Sequence, residues 1–221
     1  MKTQMRLVFT LCAVALAGCA GGPPAPDWQM NAHGAVERAT VAELEGNQRV
    51  AEAEWRRARL ETARTARLDL VARVELSRCA LRQAGLAMEP CAGFDALAQD
   101  TAPAEQAYAR YLQAQPLAAD LPLLPAAHRP VANALLQPGA AGHNVVRSVE
   151  DPVTRLVAAS VWFRAGRADP TLVQLAVDTA SAQGWRRALL AWLQVQAQVA
   201  EQAGDKTLAD QARRRAALLG P

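Results

Sequence analysis

The sequence has few of the residues on which catalytic and metal sites depend. Its 221 residues contain only three histidines, His33, His128 and His143, and none belongs to an H-E-x-x-H motif. No serine lies in a G-x-S-x-G elbow, and no glycine-rich phosphate loop is present. We therefore expect no metal site, no cofactor and no catalytic residue of these types.

Segments that alternate β-branched and polar residues are also missing, which argues against a sheet. Ala, Leu, Arg, Glu and Gln, all strong helix formers, dominate the chain instead. The sequence therefore predicts an all-α fold made of antiparallel helical hairpins.

Strong charge of one sign is absent too. The net charge is +3, and two of these positive charges belong to Lys2 and Arg6, so +1 remains after the first eighteen residues. A nucleic-acid binder normally carries a basic patch, and this chain is not expected to bind nucleic acid. Carboxylates such as Glu43 and Glu52 alternate with arginines, as on a solvated helix face. A catalytic pair of carboxylates distant in the chain remains open, and a cell-wall-acting glycan or peptidoglycan enzyme is the alternative function.

No apolar run is long enough to span a bilayer, which needs about 20 residues. The longest candidate, residues 7–17, follows the basic residues Lys2 and Arg6 and is typical of a secretory signal peptide. Its end, Leu16-Ala17-Gly18-Cys19, resembles the lipobox of bacterial lipoproteins. The resemblance implies cleavage before Cys19, acylation of that cysteine, and a periplasmic protein anchored in a membrane. Ala20 resembles the residue found in members sorted to the outer membrane.

These signals predict three parts of the chain. Residues 1–18 are the signal peptide, residues 19–30 are the lipidated cysteine with a Gly- and Pro-rich tether, and residues 31–221 form the helical periplasmic domain. At about 3 Å per residue the Gly- and Pro-rich stretch 20–27 reaches only about 25 Å, so the domain is expected to stay near the membrane. A proline-rich segment separates two candidate lobes, 31–115 and 150–221.

The chain has only four cysteines: Cys12 in the signal, Cys19 at the lipobox, and Cys79 and Cys91. In an exported, oxidising setting the last two are expected to form a disulfide. A metal site and a nucleophile are the alternatives. The separation of twelve residues lacks the close ligand spacing of zinc sites, and no histidine lies beside the pair.

Apolar periodicity predicts several helices, and Asp151-Pro152 and Asp169-Pro170 each read as an N-cap followed by a first-turn proline. The middle of the chain, 116–142, contains five prolines and predicts loops with one or two short helices. The expected helices cover residues 31–45, 48–65, 68–84, 152–165, 170–182, 185–202 and 206–219.

Small residues recur at the hairpin turns. Ala165-Gly166 ends one helix, and Ala203-Gly204 ends another 38 residues later. Helix pairs of this kind resemble tetratricopeptide repeats, although only the small residues and hairpin lengths match, so an irregular helical bundle is equally consistent. The resemblance implies a concave surface that binds protein segments.

One short motif, Trp185-Arg186-Arg187, joins a large aromatic residue to two cations. It is a candidate interaction patch, because Trp and Arg are enriched at binding hot spots. A tryptophan packed under an arginine in the fold is the alternative. The sequence as a whole predicts an outer-membrane-anchored periplasmic lipoprotein that binds an envelope protein partner, as a scaffold or a pilotin-like assembly accessory.

Overall fold

The helix-forming composition folds as expected. The computed structural model describes residues 25–220, and within that range all regular structure is helical, which confirms the all-α fold class. Three short 3₁₀ helices, Ala98–Asp100, Ala118–Leu123 and Ala126–His128, occur in the middle. The α-helices are α1 (Asp27–Glu45), α2 (Gln48–Ala63), α3 (Leu68–Ala84), α4 (Ala92–Asp95), α5 (Pro103–Leu112), α6 (Arg129–Leu135), α7 (Gly142–Arg147), α8 (Pro152–Arg164), α9 (Pro170–Ala182), α10 (Arg186–Gln202) and α11 (Lys206–Ala217).

Aspartate caps fix several helix starts. The Asp151 side chain accepts a hydrogen bond from the backbone N–H of Thr154 at 2.7 Å, and Asp169 does the same for Leu172 at 2.8 Å. Each of these bonds satisfies an N–H that the first turn leaves without a partner, as the sequence predicted. Asp205 caps α11 in the same way, through Leu208 at 2.9 Å.

Two parts of the chain differ most from the sequence prediction. Helix α1 begins at Asp27 rather than near residue 31, because the carbonyl of Pro26 already accepts from the backbone N–H of Gln29 at 2.9 Å. The tether predicted over 19–30 therefore ends before Asp27. Helix α7 begins at the last residue of the segment 116–142, for which the sequence predicts loops, and continues through residues for which it predicts no helix. It starts at Gly142, where a Cβ atom would lie 2.5 Å from the Trp162 ring, so a glycine is needed for this close approach.

The first hairpin packs through small residues. Ala35, Ala39 and Ala42 form the buried face of α1, and Ala51 and Ala58 lie buried on α2. Their spacing of three or four positions keeps one helical face small, which allows the two helices to approach closely. The turn between them uses Gly46 at φ 92°, a left-handed conformation that glycine adopts without steric cost.

The two ends of the chain share one core. Helix α1 contacts α10, and α3 contacts α8. The fully buried Trp192 of α10 donates its indole N–H to the carbonyl of Ala84 at 3.0 Å, at the last residue of α3. The predicted lobes 31–115 and 150–221 are thus parts of a continuous packed unit. In an extended repeat array each repeat contacts only its neighbours, whereas here helices far apart in the chain also pack together.

The proline-rich middle is ordered around a buried acid. Asp120 accepts hydrogen bonds from Arg110 Nε at 2.9 Å, from Arg110 Nη2 at 2.5 Å and from the backbone N–H of Leu117 at 2.9 Å. Its bonds to Arg110 lower the pKa of the Asp120 carboxyl, because they favour the charged form. Asp120 thus fixes the 3₁₀ helix Ala118–Leu123 against α5.

A buried aromatic cluster lies beside this segment. His128 Nδ1 is 3.0 Å from the Tyr111 hydroxyl, and the imidazole ring lies 4.8 Å from the Tyr111 ring and 5.5 Å from the Tyr108 ring. Burial lowers the pKa of His128 to about 4, and the negative charge of Asp151 opposes that shift. The imidazole is therefore neutral in the folded protein at neutral pH.

This neutral histidine predicts a loss of stability in mild acid. An unfolded histidine has a pKa near 6.5, so below that pH the unfolded state binds a proton that the folded state does not bind until about pH 4. The free energy of unfolding should fall by about 2–3 kcal/mol between pH 7 and pH 4.5 because of His128, or very roughly 5–10 °C in Tm. Thermal melts of the wild type and of His128→Gln across this range would measure the effect.

The His128→Gln variant should show a much flatter dependence of Tm on pH. The matched control is His33→Gln, since His33 is exposed and pairs only with Glu37 on the same helix. That variant should keep the wild-type pH dependence. Equal slopes for wild type and His128→Gln would contradict the assignment.

Candidate functional site

A cleft with a mixed polar and apolar lining opens at the end of α3, with a volume of about 330 Å³. We call it the disulfide cleft. The C-terminal half of α3, the segment 85–91, the end of α5 and the last residue of α8 surround it. Its apolar floor and wall are formed by Leu76, Met88, Phe94, Leu112 and the Cys79–Cys91 pair, and its polar groups are on Arg82, Gln83, Glu89, Gln113, Gln115 and Arg164.

A cysteine pair ties one wall of the cleft to the helix behind it. Cys79 on α3 and Cys91 after the helix are joined as a disulfide, with their Cα atoms 5.8 Å apart. The predicted pairing agrees with this geometry. The bond holds the chain that leaves α3 close to the helix, so it runs back alongside it. Gly93 then lies so close to α3 that a Cβ atom there would be 2.2 Å from Glu75 Oε2.

Helix α3 ends at Ala84, as the sequence predicted, with Gly85 as its C-cap. Leu86 is the residue in the left-handed conformation, at φ 61°, and Gly85 is not. The Ala87 N–H bonds to the Arg82 carbonyl at 3.0 Å, which satisfies a carbonyl of the last turn. A non-glycine residue in this conformation costs about 1–2 kcal/mol. The side chain of Leu86 packs against the core, and this packing offsets the cost.

Arg164 holds the opposite side of the segment. Its Nε donates to Gln83 Oε1 at 3.2 Å, and its Nη2 donates to the backbone carbonyl of Met88 at 3.1 Å. Gln83 is only 4% exposed, and its Nε2 has no hydrogen-bond partner. Arg82 reaches Glu89 at 3.4 Å on the rim. The side chains of Arg164, Gln83 and Arg82 are thus held in place above the apolar floor of the cleft.

This arrangement suits binding rather than acid–base chemistry. Glu89 is the single carboxylate that lines the cleft, whereas glycoside hydrolysis normally uses two. The floor can accept an apolar side chain, and Arg82, Gln113 and Gln115 offer hydrogen-bonding groups at the rim. A cleft with apolar lining and a few convergent polar groups is typical of ligand sites.

The predicted patch at Trp185-Arg186-Arg187 has a different role in the structure. Trp185 is 9% exposed and belongs to the core, so the patch has no exposed tryptophan. Arg187 pairs closely with the buried Glu43, which joins α10 to α1. Arg186 Nε donates to the Leu219 carbonyl at 2.5 Å, which fixes the end of the chain. The motif therefore fits the alternative that the sequence left open, a packing role inside the fold.

The remaining sequence predictions have simple outcomes. Cys19 and its lipobox lie outside the described residues. Within residues 25–220, no three His, Cys, Asp or Glu side chains are grouped to hold a metal ion. In the same range, no helix combines the length and the apolar character needed to cross a bilayer. The chain matches no protein-family model, no curated protein and no solved structure.

Sequence reasoning found only part of this cleft. The two cysteines were visible because few others exist, whereas Arg164, Gln83 and Phe94 carried no local signal. Arg164 is 81 residues from Gln83 in the chain, and only the packing of α8 on α3 brings them together.

We expect the disulfide to contribute a measurable share of the free energy of unfolding. Closing a loop of this length contributes about 3 kcal/mol in the chain-entropy model. The variant Cys79→Ala with Cys91→Ala should therefore melt roughly 6–12 °C lower than the wild type. A reductant should lower Tm of the wild type and leave the variant unchanged. Thiol counting on the denatured, unreduced protein is the direct check, and two free thiols would show that the bond is absent.

Proposed function

We propose that this protein is a lipoprotein of the outer membrane, anchored through Cys19, whose helical body binds a segment of another envelope protein. Leu16-Ala17-Gly18-Cys19 and the small residue Ala20 support the anchor. The early start of α1 at Asp27 shortens the tether to eight residues, 19–26, which span at most about 25–30 Å. A body held this close to the membrane is suited to a partner at the same surface.

The disulfide cleft is the observation that carries the binding role. Its walls are fixed by a covalent bond on one side and by Arg164 on the other, so little ordering is needed when a segment enters. Apolar Met88, Phe94 and Leu112 provide contact area, and Arg82 offers a charged donor. These features suit a polypeptide segment with an apolar anchor and an acceptor beside it. An accessory role in assembling a secretion or pilus machine is one concrete form of this function.

The cell-wall enzyme is the alternative, and the two clefts beside α3 give it no specific support. The disulfide cleft is lined by one carboxylate, Glu89, and the neighbouring cleft by one, Glu105. A two-carboxylate mechanism requires a pair across a single cleft. Zymography on cell-wall substrate is the test of that alternative, and clearing by the purified protein would favour it over the scaffold.

The anchor is tested at the lipobox cysteine. Cys19→Ser removes the thiol that receives the lipid, so the variant should lose labelling by palmitate, remain an uncleaved precursor and lose stable acylated anchoring. The matched control is Cys12→Ser, within the predicted signal, which should be labelled and processed as the wild type. Labelled palmitate on Cys19→Ser would contradict the lipobox interpretation.

The cleft is tested by photo-cross-linking in the native envelope. A photoreactive residue at the exposed rim position Gln113 should give one dominant protein adduct, identified by mass spectrometry. The same residue at Gln211, exposed on α11, is the matched control and should not give this adduct. A second substitution, Met88→Glu, places a charge beside the apolar floor and should reduce the Gln113 adduct strongly. An adduct that survives Met88→Glu, or equal adducts from both positions, would sink the proposal.

A further inference from the structure

Four buried carboxylates pair with arginines in this fold, and one of them differs from the rest. The pairs are Glu43–Arg187, Glu75–Arg59, Asp120–Arg110 and Glu105–Arg73. Among residues 25–220, Glu105 Oε2 is the one carboxylate oxygen that is shielded from solvent and has no hydrogen-bond partner. An unsatisfied buried polar atom is costly, about 1–3 kcal/mol or more for a charged group, and such atoms are rare in folded proteins.

This carboxylate lines a second cleft, which we call the Glu105 cleft. It has a volume of about 440 Å³ and shares Leu76 with the disulfide cleft. Glu105 is 3% exposed, and its Oε1 accepts from Arg73 Nε at 2.5 Å. The other walls are mainly apolar and are formed by Leu76, Ala104, Tyr108, Leu123, Leu124 and Pro125.

The rim of the cleft is open to solvent. Leu123 is 41% exposed, and the side chain of Arg73 is 57% exposed. Because most of its side chain is exposed, Arg73 can keep its bond to Glu105 Oε1 or swing outward into solvent while a ligand approaches. The ring of Tyr108 is fixed from behind, with its centroid 5.9 Å from that of Tyr111 and 5.5 Å from that of His128.

We propose that the Glu105 cleft binds an arginine or lysine side chain of a partner polypeptide, which donates a hydrogen bond to Glu105 Oε2. A carboxylate accepts several hydrogen bonds, so Oε2 keeps its full acceptor capacity while Oε1 accepts from Arg73. Oε2 is shielded from solvent, so a ligand donor reaches it when the exposed side chain of Arg73 swings outward. The aromatic ring of Tyr108 and the leucines suit the methylene stem of such a side chain. The site is separate from the proposed function and does not depend on the anchor at Cys19.

A metal ion fits this cleft less well than an organic cation. Calcium takes six to eight oxygen ligands, and Glu105 is the single carboxylate of the lining. Apart from Arg73, Ser77 and the Tyr108 hydroxyl, the other lining side chains are apolar and offer no further ligands. An apolar stem that ends in one cationic donor matches both halves of this environment.

The test compares two peptides that differ only in charge. The full-length protein in nonionic detergent is titrated with acetyl-Leu-Arg-Leu-amide and with the same peptide carrying citrulline, the neutral isostere of arginine. The arginine peptide should bind at least tenfold more tightly, because a hydrogen bond to a charged group is worth about this factor. Equal binding of both peptides, or no binding of the arginine peptide at millimolar concentration, would overturn the proposal.

Variants locate the site. Glu105→Gln keeps the side-chain shape and removes the charge, so the preference for arginine over citrulline should disappear. Glu201→Gln, exposed on α10 and outside both clefts, is the matched control and should keep it. If Glu105→Gln does not fold, Tyr108→Leu decides, since it leaves the carboxylate in place and should weaken arginine-peptide binding about threefold or more. Wild-type preference in a folded Glu105→Gln protein, or unchanged affinity in Tyr108→Leu, would refute the assignment.

A further arm separates a polypeptide from a small cation. Butylguanidinium carries the same cationic group without flanking residues, and it should bind at least tenfold more weakly than the arginine peptide. Equal affinities would show that the cleft takes free alkyl cations and would overturn the polypeptide assignment. These titrations are independent of lipid labelling at Cys19 and of cross-linking at Gln113, so each proposal can fail alone.

Discussion

The contact between α10 and the end of α3 is the constraint on which the rest of this structure depends. Trp192 is fully buried, its indole N–H donates to the Ala84 carbonyl, and its ring meets Phe163 edge-on with centroids 5.8 Å apart. A buried tryptophan of this kind typically contributes several kcal/mol, and the indole N–H also satisfies a carbonyl that the helix end leaves without a partner. Because this contact holds the end of α3 against α10, it also positions the segment 85–91, which begins there and borders the disulfide cleft.

Arginine–carboxylate pairs then set the orientation of the helices around this core. Glu43 joins α1 to α10 through Arg187, and Asp120 joins the 3₁₀ segment to α5 through Arg110. Each acid is buried while its arginine reaches toward solvent, so the carboxylate keeps a partner without a second fully buried charge. Such pairs are weak evidence for stability by themselves, but they penalise a rotated or shifted helix, because a shift would leave a buried charge alone. Glu105 follows the same pattern, but its Oε2 has no hydrogen-bond partner. This unsatisfied oxygen distinguishes the Glu105 cleft.

Helix positions were largely predictable, and the clefts were not. Helices α3 and α9 have the predicted boundaries, because apolar periodicity and the Asp169-Pro170 cap act locally. The sequence did not predict α7, because this helix is short and begins with Gly142. A glycine is needed there because the ring of Trp162, in another helix, leaves no space for a Cβ atom. The sequence of Trp185-Arg186-Arg187 likewise favoured an interaction patch, because the residues it contacts lie in other parts of the chain. The contacts of its two arginines are made with Glu43 and Leu219, which are distant in sequence.

The sequence by itself determined the all-α class, the helix starts at aspartate caps and the pairing of Cys79 with Cys91. These features depend on neighbouring residues or, for the cysteines, on there being few candidates. Only the tertiary structure decided that the two halves share one core, that Arg164 closes the disulfide cleft and that Glu105 Oε2 lacks a partner. Contacts between residues far apart in the chain settle these features, and periodicity within one helix says which face is buried but not which helix it meets.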